Sequence, residues 1–186
     1  MGTLTYEQAV EIFAEQATAL LEAGVDVIYV ETMADLNEAL AAVEGAQRAA
    51  QRAAQQPLAG RGDVPIFTTM SFDSHGRTNM GVRPEEAAEK LQAQGVSAFG
   101  ANCGSTLEMT EGALTKMHET APHAYLIAKP NAGLPHMVGD EVVYDATPED
   151  MAAYARRFVE LGARVVGGCC GSTPAHIQAI AVSVDR

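Results

Sequence analysis

Ala163-Arg164-Val165-Val166-Gly167-Gly168-Cys169-Cys170-Gly171-Ser172-Thr173-Pro174 decides how this chain is read. A short apolar run, Ala163 to Val166, gives way to two glycines, two adjacent cysteines and the start of a helix over Ala175 to Val182. The unit is a strand, a loop and a helix, with the reactive side chains at the C-terminal end of the strand. Side chains alternate faces along a regular strand, so neighbouring cysteines cannot both face one point from it. A turn flanked by glycines can aim both, because glycine bends without a Cβ clash.

The same unit recurs toward the N-terminus. Ala124 to Ala128 reads as a strand ending in Lys129-Pro130-Asn131-Ala132-Gly133. Val96 to Gly100 reads as another, running into Asn102-Cys103-Gly104, and Val64 to Met70 and Val25 to Val30 as two more, the last closed by Glu31. Between them lie helical patterns at Leu36 to Ala54, Pro84 to Ala93, Leu107 to Thr120 and Pro148 to Leu161, with Pro57 to Asp63 as a loop. Tyr6 to Ala23 has Val10, Phe13, Ala17, Leu20 and Leu21 on one face; Gly24 ends it and Thr5 is its expected N-cap.

Strands apolar on both faces and separated by helices predict an α/β fold with a parallel sheet covered on both sides. A dinucleotide-binding sheet would carry G-x-G-x-x-G after its first strand, and this chain does not. Polar and glycine-rich strand ends are instead the habit of a (βα)8 TIM barrel, which needs eight strands and roughly 250 residues. Five strands are legible in 186 residues, so either three are missing or the sheet is open. No linker or low-complexity tract divides the chain, which predicts one domain.

Composition narrows the function. A formal charge of −12, with basic residues scattered singly, argues against nucleic acid. No apolar run approaches the ~20 residues that span a bilayer, and the polar start lacks a signal-peptide pattern, so no membrane partner and a cytoplasmic location are expected. Three cysteines do not make a disulfide framework.

In a parallel arrangement, Cys103, Cys169 and Cys170 emerge on one rim. Three thiolates suit a soft-ligand metal, zinc first, and leave a fourth position open as in catalytic zinc sites. Three thiolate ligands put the site at a formal charge of −1. That blunts Lewis acidity toward water and keeps a bound substrate thiolate nucleophilic, which points to alkylation of sulfur over hydrolysis.

With Glu31-Thr32-Met33, Gly100-Ala101-Asn102-Cys103-Gly104, Pro130-Asn131-Ala132-Gly133-Leu134-Pro135 and Gly167 to Pro174, the chain resembles the homocysteine S-methyltransferase family. This family includes betaine–homocysteine methyltransferases and the homocysteine-binding barrel of cobalamin-dependent methionine synthase. The resemblance runs from about Tyr6 to the end. It implies a (βα)8 barrel of which about the last five βα units are present, so residues 1–186 would be an N-terminally truncated homocysteine-binding domain. It further implies a zinc cofactor on Cys103, Cys169 and Cys170, with no catalytic residue beyond the metal site. Glu31 would hold the substrate ammonium, and Asn131 would lie near the metal and could occupy its fourth position when substrate is absent. The expected reaction is methyl transfer to the homocysteine thiolate, giving methionine. Betaine, S-methylmethionine and a methylcobalamin module are all compatible donors.

Two other readings compete. One is a zinc-binding truncated fragment or subunit without activity of its own, its barrel completed by a partner chain. The other is a thiol redox protein with a Cys169–Cys170 disulfide. In the Ser71 to Thr78 loop, Asp73 or Arg77 would touch substrate or donor, or the loop is a plain turn. His75, His118, His123, His136 and His176 lack ligand spacing and are expected at the surface.

Overall fold

The computed structural model describes residues 3–55, 64–104 and 106–185. Among the described residues six α-helices and seven β-strands follow one another: α1 Tyr6–Glu22, β1 Ile28–Met33, α2 Leu36–Ala54, β2 Ile66–Met70, α3 Pro84–Ala93, β3 Ala98–Cys103, α4 Leu107–Thr120, β4 Leu126–Pro130, β5 Pro135–Val138, β6 Glu141–Tyr144, α5 Pro148–Glu160, β7 Ala163–Val166 and α6 Pro174–Val184.

Five strands make one parallel sheet in the order β1-β2-β3-β4-β7. Each strand lies beside the next one in the chain that joins this sheet. A doubly wound sheet would reverse direction at a switch point, whereas unbroken sequential order is the order of a β/α barrel. The fold is of the (βα)8 barrel type, with five of its units. Among the described residues, the outer sides of β1 and β7 pair with no strand.

The main core lies where the helices cover the sheet. Met70, Phe72, Leu91, Phe99, Leu114, Met117, Leu126 and Phe158 are all nearly inaccessible. Each such side chain contributes about 1.5–3 kcal/mol of burial free energy. Leu107, Met151, Ala155 and Ile180 form a smaller cluster. On the other flank α1 and α2 pack closely at Gly45, where an added Cβ would meet Val10 O at 2.6 Å.

Helix boundaries follow local chemistry. Thr5 caps α1 through Gln8 N–H, and the Gln8 side chain returns the bond, a capping box. Prolines start α3, α5 and α6, where a missing N–H costs nothing.

Strand ends differ from the expectation in an informative way. β1 begins three residues later than Val25 and contains Glu31-Thr32-Met33. β3 runs on through Cys103, and β4 through Lys129 and Pro130. Polar residues continue the ladder because their neighbours supply partners: Met33 is in register with Met70, Asn102 with Lys129 and Cys103 with Pro130. The β5–β6 hairpin was not expected. It turns on Gly139-Asp140, with Gly139 at φ 64°, and exposes Met137, Val138 and Val142. The expected Pro57 to Asp63 loop lies outside the described residues.

Candidate metal centre

The C-terminal ends of β3, β4 and β7 bring the three cysteines together. Their sulfurs all lie within 4.8 Å of one another, and Cys103 Sγ is 4.0 Å from Cys170 Sγ. No disulfide joins them.

Cys103, the last residue of β3, has φ 56°. Thr32 on β1 has φ 61°, and these are the two non-glycine residues in the left-handed region among those described. Such a conformation costs on the order of 1–3 kcal/mol and persists only where the surroundings enforce it. Cys103 is followed by Gly104 at φ 76°, whose Cβ, if it had one, would sit 2.6 Å from Phe72 O. The sulfur is thereby turned off the strand and toward the β7 loop.

Beyond β7 the chain stays alongside β4: Gly167 N–H donates to Ala128 O at 3.0 Å, and Cys169 N–H to Pro130 O at 2.8 Å. The turn comes at Gly171, φ 77°, where a Cβ would strike the Tyr144 ring at 2.2 Å. So the glycines serve close approach as much as bending.

Asn131 ties the two cysteine segments together. Its Nδ2 donates to Gly104 O at 3.1 Å and its Oδ1 accepts from Cys170 N–H at 3.0 Å. It is buried, with both ends of its amide in use. Next to it, Ala132 N–H donates to Cys170 O at 2.9 Å.

Asn102, also buried, performs the same service toward β1. Its Oδ1 accepts from Thr32 N–H at 3.0 Å and from Thr69 Oγ1 at 2.6 Å. Its Nδ2 donates to Thr32 Oγ1 at 2.6 Å and lies 3.9 Å from Cys169 Sγ. Thr69 Oγ1 is 3.1 Å from the Tyr29 hydroxyl.

Crowding of thiols shows in the electrostatics. Burial, then the neighbouring Cys103 and Cys169, push the Cys170 thiol up to about 11. Burial, then Cys170 and Cys103, also raise the Tyr144 phenol. Burial chiefly holds Tyr29 up at about 12, with Glu31 and Cys169 adding to it. Ionising several sulfurs at one point calls for a cation among them, and a bound metal inverts this local logic. The three sulfurs form a group that can hold a metal ion.

Glu31 on β1 lies near this rim and is ion-paired with Lys129 of β4. Asp73 and Arg77 are bonded to each other's segment. Asp73 Oδ1 accepts from the His75 and Arg77 N–H groups at 2.8 and 3.3 Å, and Asp73 N–H donates to Arg77 O at 2.8 Å, a turn closed on itself. The expectation of surface histidines fails for His176, which is 8% exposed. Its ring bonds to Thr173 Oγ1 at 2.8 Å and Ala146 O at 3.0 Å, at the start of α6.

Sequence reasoning assigned no role to Lys129, Asn102, Tyr29 or Tyr144. A signal existed for two of them. Lys129 is a charge at the end of a buried strand, and Asn102 is an amide inside one, and neither residue type lies there without a partner.

The homocysteine S-methyltransferase family profile matches residues 1–184. The methionine synthase of Mycobacterium tuberculosis is 32% identical over 99% of this chain, and that of Mycobacterium leprae is 31% identical over all of it. The chain spans only 15% of the length of either protein. Among solved structures, the metallated form of the homocysteine methyltransferase MmuM from Escherichia coli superposes with a TM-score of 0.69 at 26% identity, covering 93% of this chain and 51% of that one. Its apo form gives 0.72 at 24% identity, covering 98% and 59%. With its sheet order, its three converging sulfurs and a family match over nearly every residue, the chain belongs to the homocysteine S-methyltransferase family.

Proposed function

We propose that this chain methylates homocysteine to methionine, with a zinc ion held by Cys103, Cys169 and Cys170. The observation that carries this reading is the convergence of three sulfurs from two separate strand ends within 4.8 Å. Four ligands ~2.3 Å from zinc in a tetrahedron stand roughly 3.8 Å apart. The 4.0 Å between Cys103 Sγ and Cys170 Sγ is close to that spacing. Relatives named as methionine synthases and a relative solved in metallated form agree with it.

Zinc, when bound, supplies the positive charge that keeps three thiolates together and lets a coordinated substrate thiol lose its proton at neutral pH. The chain's own residues do the rest. Glu31 takes the substrate ammonium. Asn131 holds the two cysteine segments in register, and its Oδ1, which accepts one bond from Cys170 N–H, has a second lone pair that could serve a bound metal. In the reaction the homocysteine sulfur attacks the donor's methyl carbon. A sulfur–carbon bond forms and the donor–methyl bond breaks, its electron pair leaving with the donor. The thiol proton goes to solvent. We read residues 1–186 as one homocysteine-binding unit, and the three free thiols suit the reducing cytoplasm.

The open outer sides of β1 and β7 favour a second reading, in which the zinc-binding unit turns over only when further strands, from a partner chain or a longer polypeptide, close the barrel. Purified chain assayed for zinc content and for methionine formation, with betaine, S-methylmethionine or methylcobalamin as donor, separates the two. One zinc per chain with methionine produced is expected of the first reading. Zinc with no methionine from any donor leaves the second, and no zinc with a Cys169–Cys170 disulfide overturns both.

A further inference from the structure

The strongest unassigned feature beside the thiols is the Lys129–Glu31 ion pair. It joins β4 to β1, two strands separated in the sheet by β2 and β3. Lys129 is in register with Asn102, the residue that approaches Cys169 Sγ. Its aliphatic stem lies over Gly167, where an added Cβ would be 3.5 Å from Lys129 Cγ. Its ammonium stands 4.8 Å from the centre of the Tyr29 ring. Glu31, in turn, precedes Thr32, which Asn102 holds through both ends of its amide. Both partners of the pair are therefore linked to Asn102, whose Nδ2 lies 3.9 Å from Cys169 Sγ.

The two side chains keep 25% and 39% of their surface exposed. A partly exposed pair of this kind adds little to stability, so opening it is cheap. Its two charges are adjacent and opposite in sign, which is the complement of an amino-acid zwitterion. The chain's net charge of −12 and the neighbouring sulfurs repel a carboxylate that approaches alone. A cation fixed at the rim offsets that repulsion.

We propose that Lys129 is a specificity-determining residue that binds the substrate α-carboxylate, while Glu31 binds the ammonium on the same carbon. The resting ion pair exchanges partners with the incoming zwitterion. The inference rests on the functional reading above, because it takes the thiol end of that zwitterion to reach the cysteine cluster.

The test uses cobalt(II) in place of zinc in the purified chain and follows the thiolate-to-metal absorption band during titration with thiols, so no turnover is needed. Four probes suffice: homocysteine, 4-sulfanylbutanoate (no ammonium), 3-aminopropane-1-thiol (no carboxylate) and propane-1-thiol (neither). Lys129→Met keeps the stem and removes the charge. It should weaken homocysteine and 4-sulfanylbutanoate roughly 10- to 100-fold, the scale of a lost charged hydrogen bond. The other two probes should stay within about twofold, and Lys129→Arg should restore most of the loss. Glu31→Gln should give the mirror pattern, weakening the two ammonium-bearing thiols. Tighter homocysteine binding by Lys129→Met would mean that Lys129 only blocks Glu31, and overturns the proposal. Equal weakening of all four probes overturns it too. If no thiol, propane-1-thiol included, perturbs the band in the unsubstituted chain, the metal-centre reading fails and this inference falls with it.

Discussion

Two loops at the same end of the sheet are built on opposite plans. The segment after β7 is held almost wholly by other parts of the chain: Cys169 by Pro130, Cys170 by Asn131 and Ala132, and Gly171 against Tyr144. The turn after β2 is anchored at its root, where Ser71 N–H donates to Met33 O and Gly104 lies against Phe72, but its tip is held by itself, Asp73 taking its bonds from His75 and Arg77. A cross-tied loop can fix a sulfur to a fraction of an ångström, because its position is determined from several strands at once. A self-closed turn can keep its shape while saying nothing about its neighbours. The difference teaches where function is written: in the bonds between loops, less in the polarity of any one of them.

That contrast can be broken at several points. Replacing Cys103, Cys169 or Cys170 singly by serine removes a ligand, and zinc affinity should fall by more than the ~100-fold that outer-shell changes alone can cost. Competition with a chelator measures it, and a variant that still holds one zinc at unchanged affinity excludes that cysteine as a ligand. Asn131→Ala leaves every sulfur in place but cuts the tie between the two segments. Zinc affinity should drop about 10- to 100-fold, and stability to urea should fall by roughly 1–3 kcal/mol as buried groups lose partners. Asp73→Ala opens only the self-closed turn. Its zinc affinity should be unchanged, and its stability should move by ~0.5–1.5 kcal/mol at most. A large loss of zinc in that variant would mean the two loops are not independent.

Much of this was legible in the chain itself. The helices over Leu36–Ala54, Pro84–Ala93 and Leu107–Thr120 could be read to the residue, because capping residues and prolines mark their ends. The parallel sheet followed from β-branched runs between helices. The three cysteines were recognisable because glycines flank them at strand ends, and a sulfur there has few structural reasons to be clustered.

What escaped the sequence depends on distance. Nothing in the one-dimensional order links Lys129 to Glu31, 98 positions away, or Asn102 to Thr32, 70 positions away. β1 and β3 were read as ending early because Glu31 and Cys103 look like loop residues; in a parallel ladder the neighbouring strand decides where pairing stops. His176 looked like a surface histidine because spacing cannot reveal a partner such as Ala146 O, 30 residues upstream.

One further consequence comes from the Tyr144 ring resting on Gly171. The chain has no tryptophan and five tyrosines, so no indole masks the phenols in the near ultraviolet. A phenol one residue's breadth from Cys170 should change its absorbance and emission when the sulfurs take up a cation or become oxidised. Such a change would serve as an optical gauge of thiol occupancy, and Tyr144→Phe is the control that isolates this ring's share from that of Tyr29, which also senses Cys169.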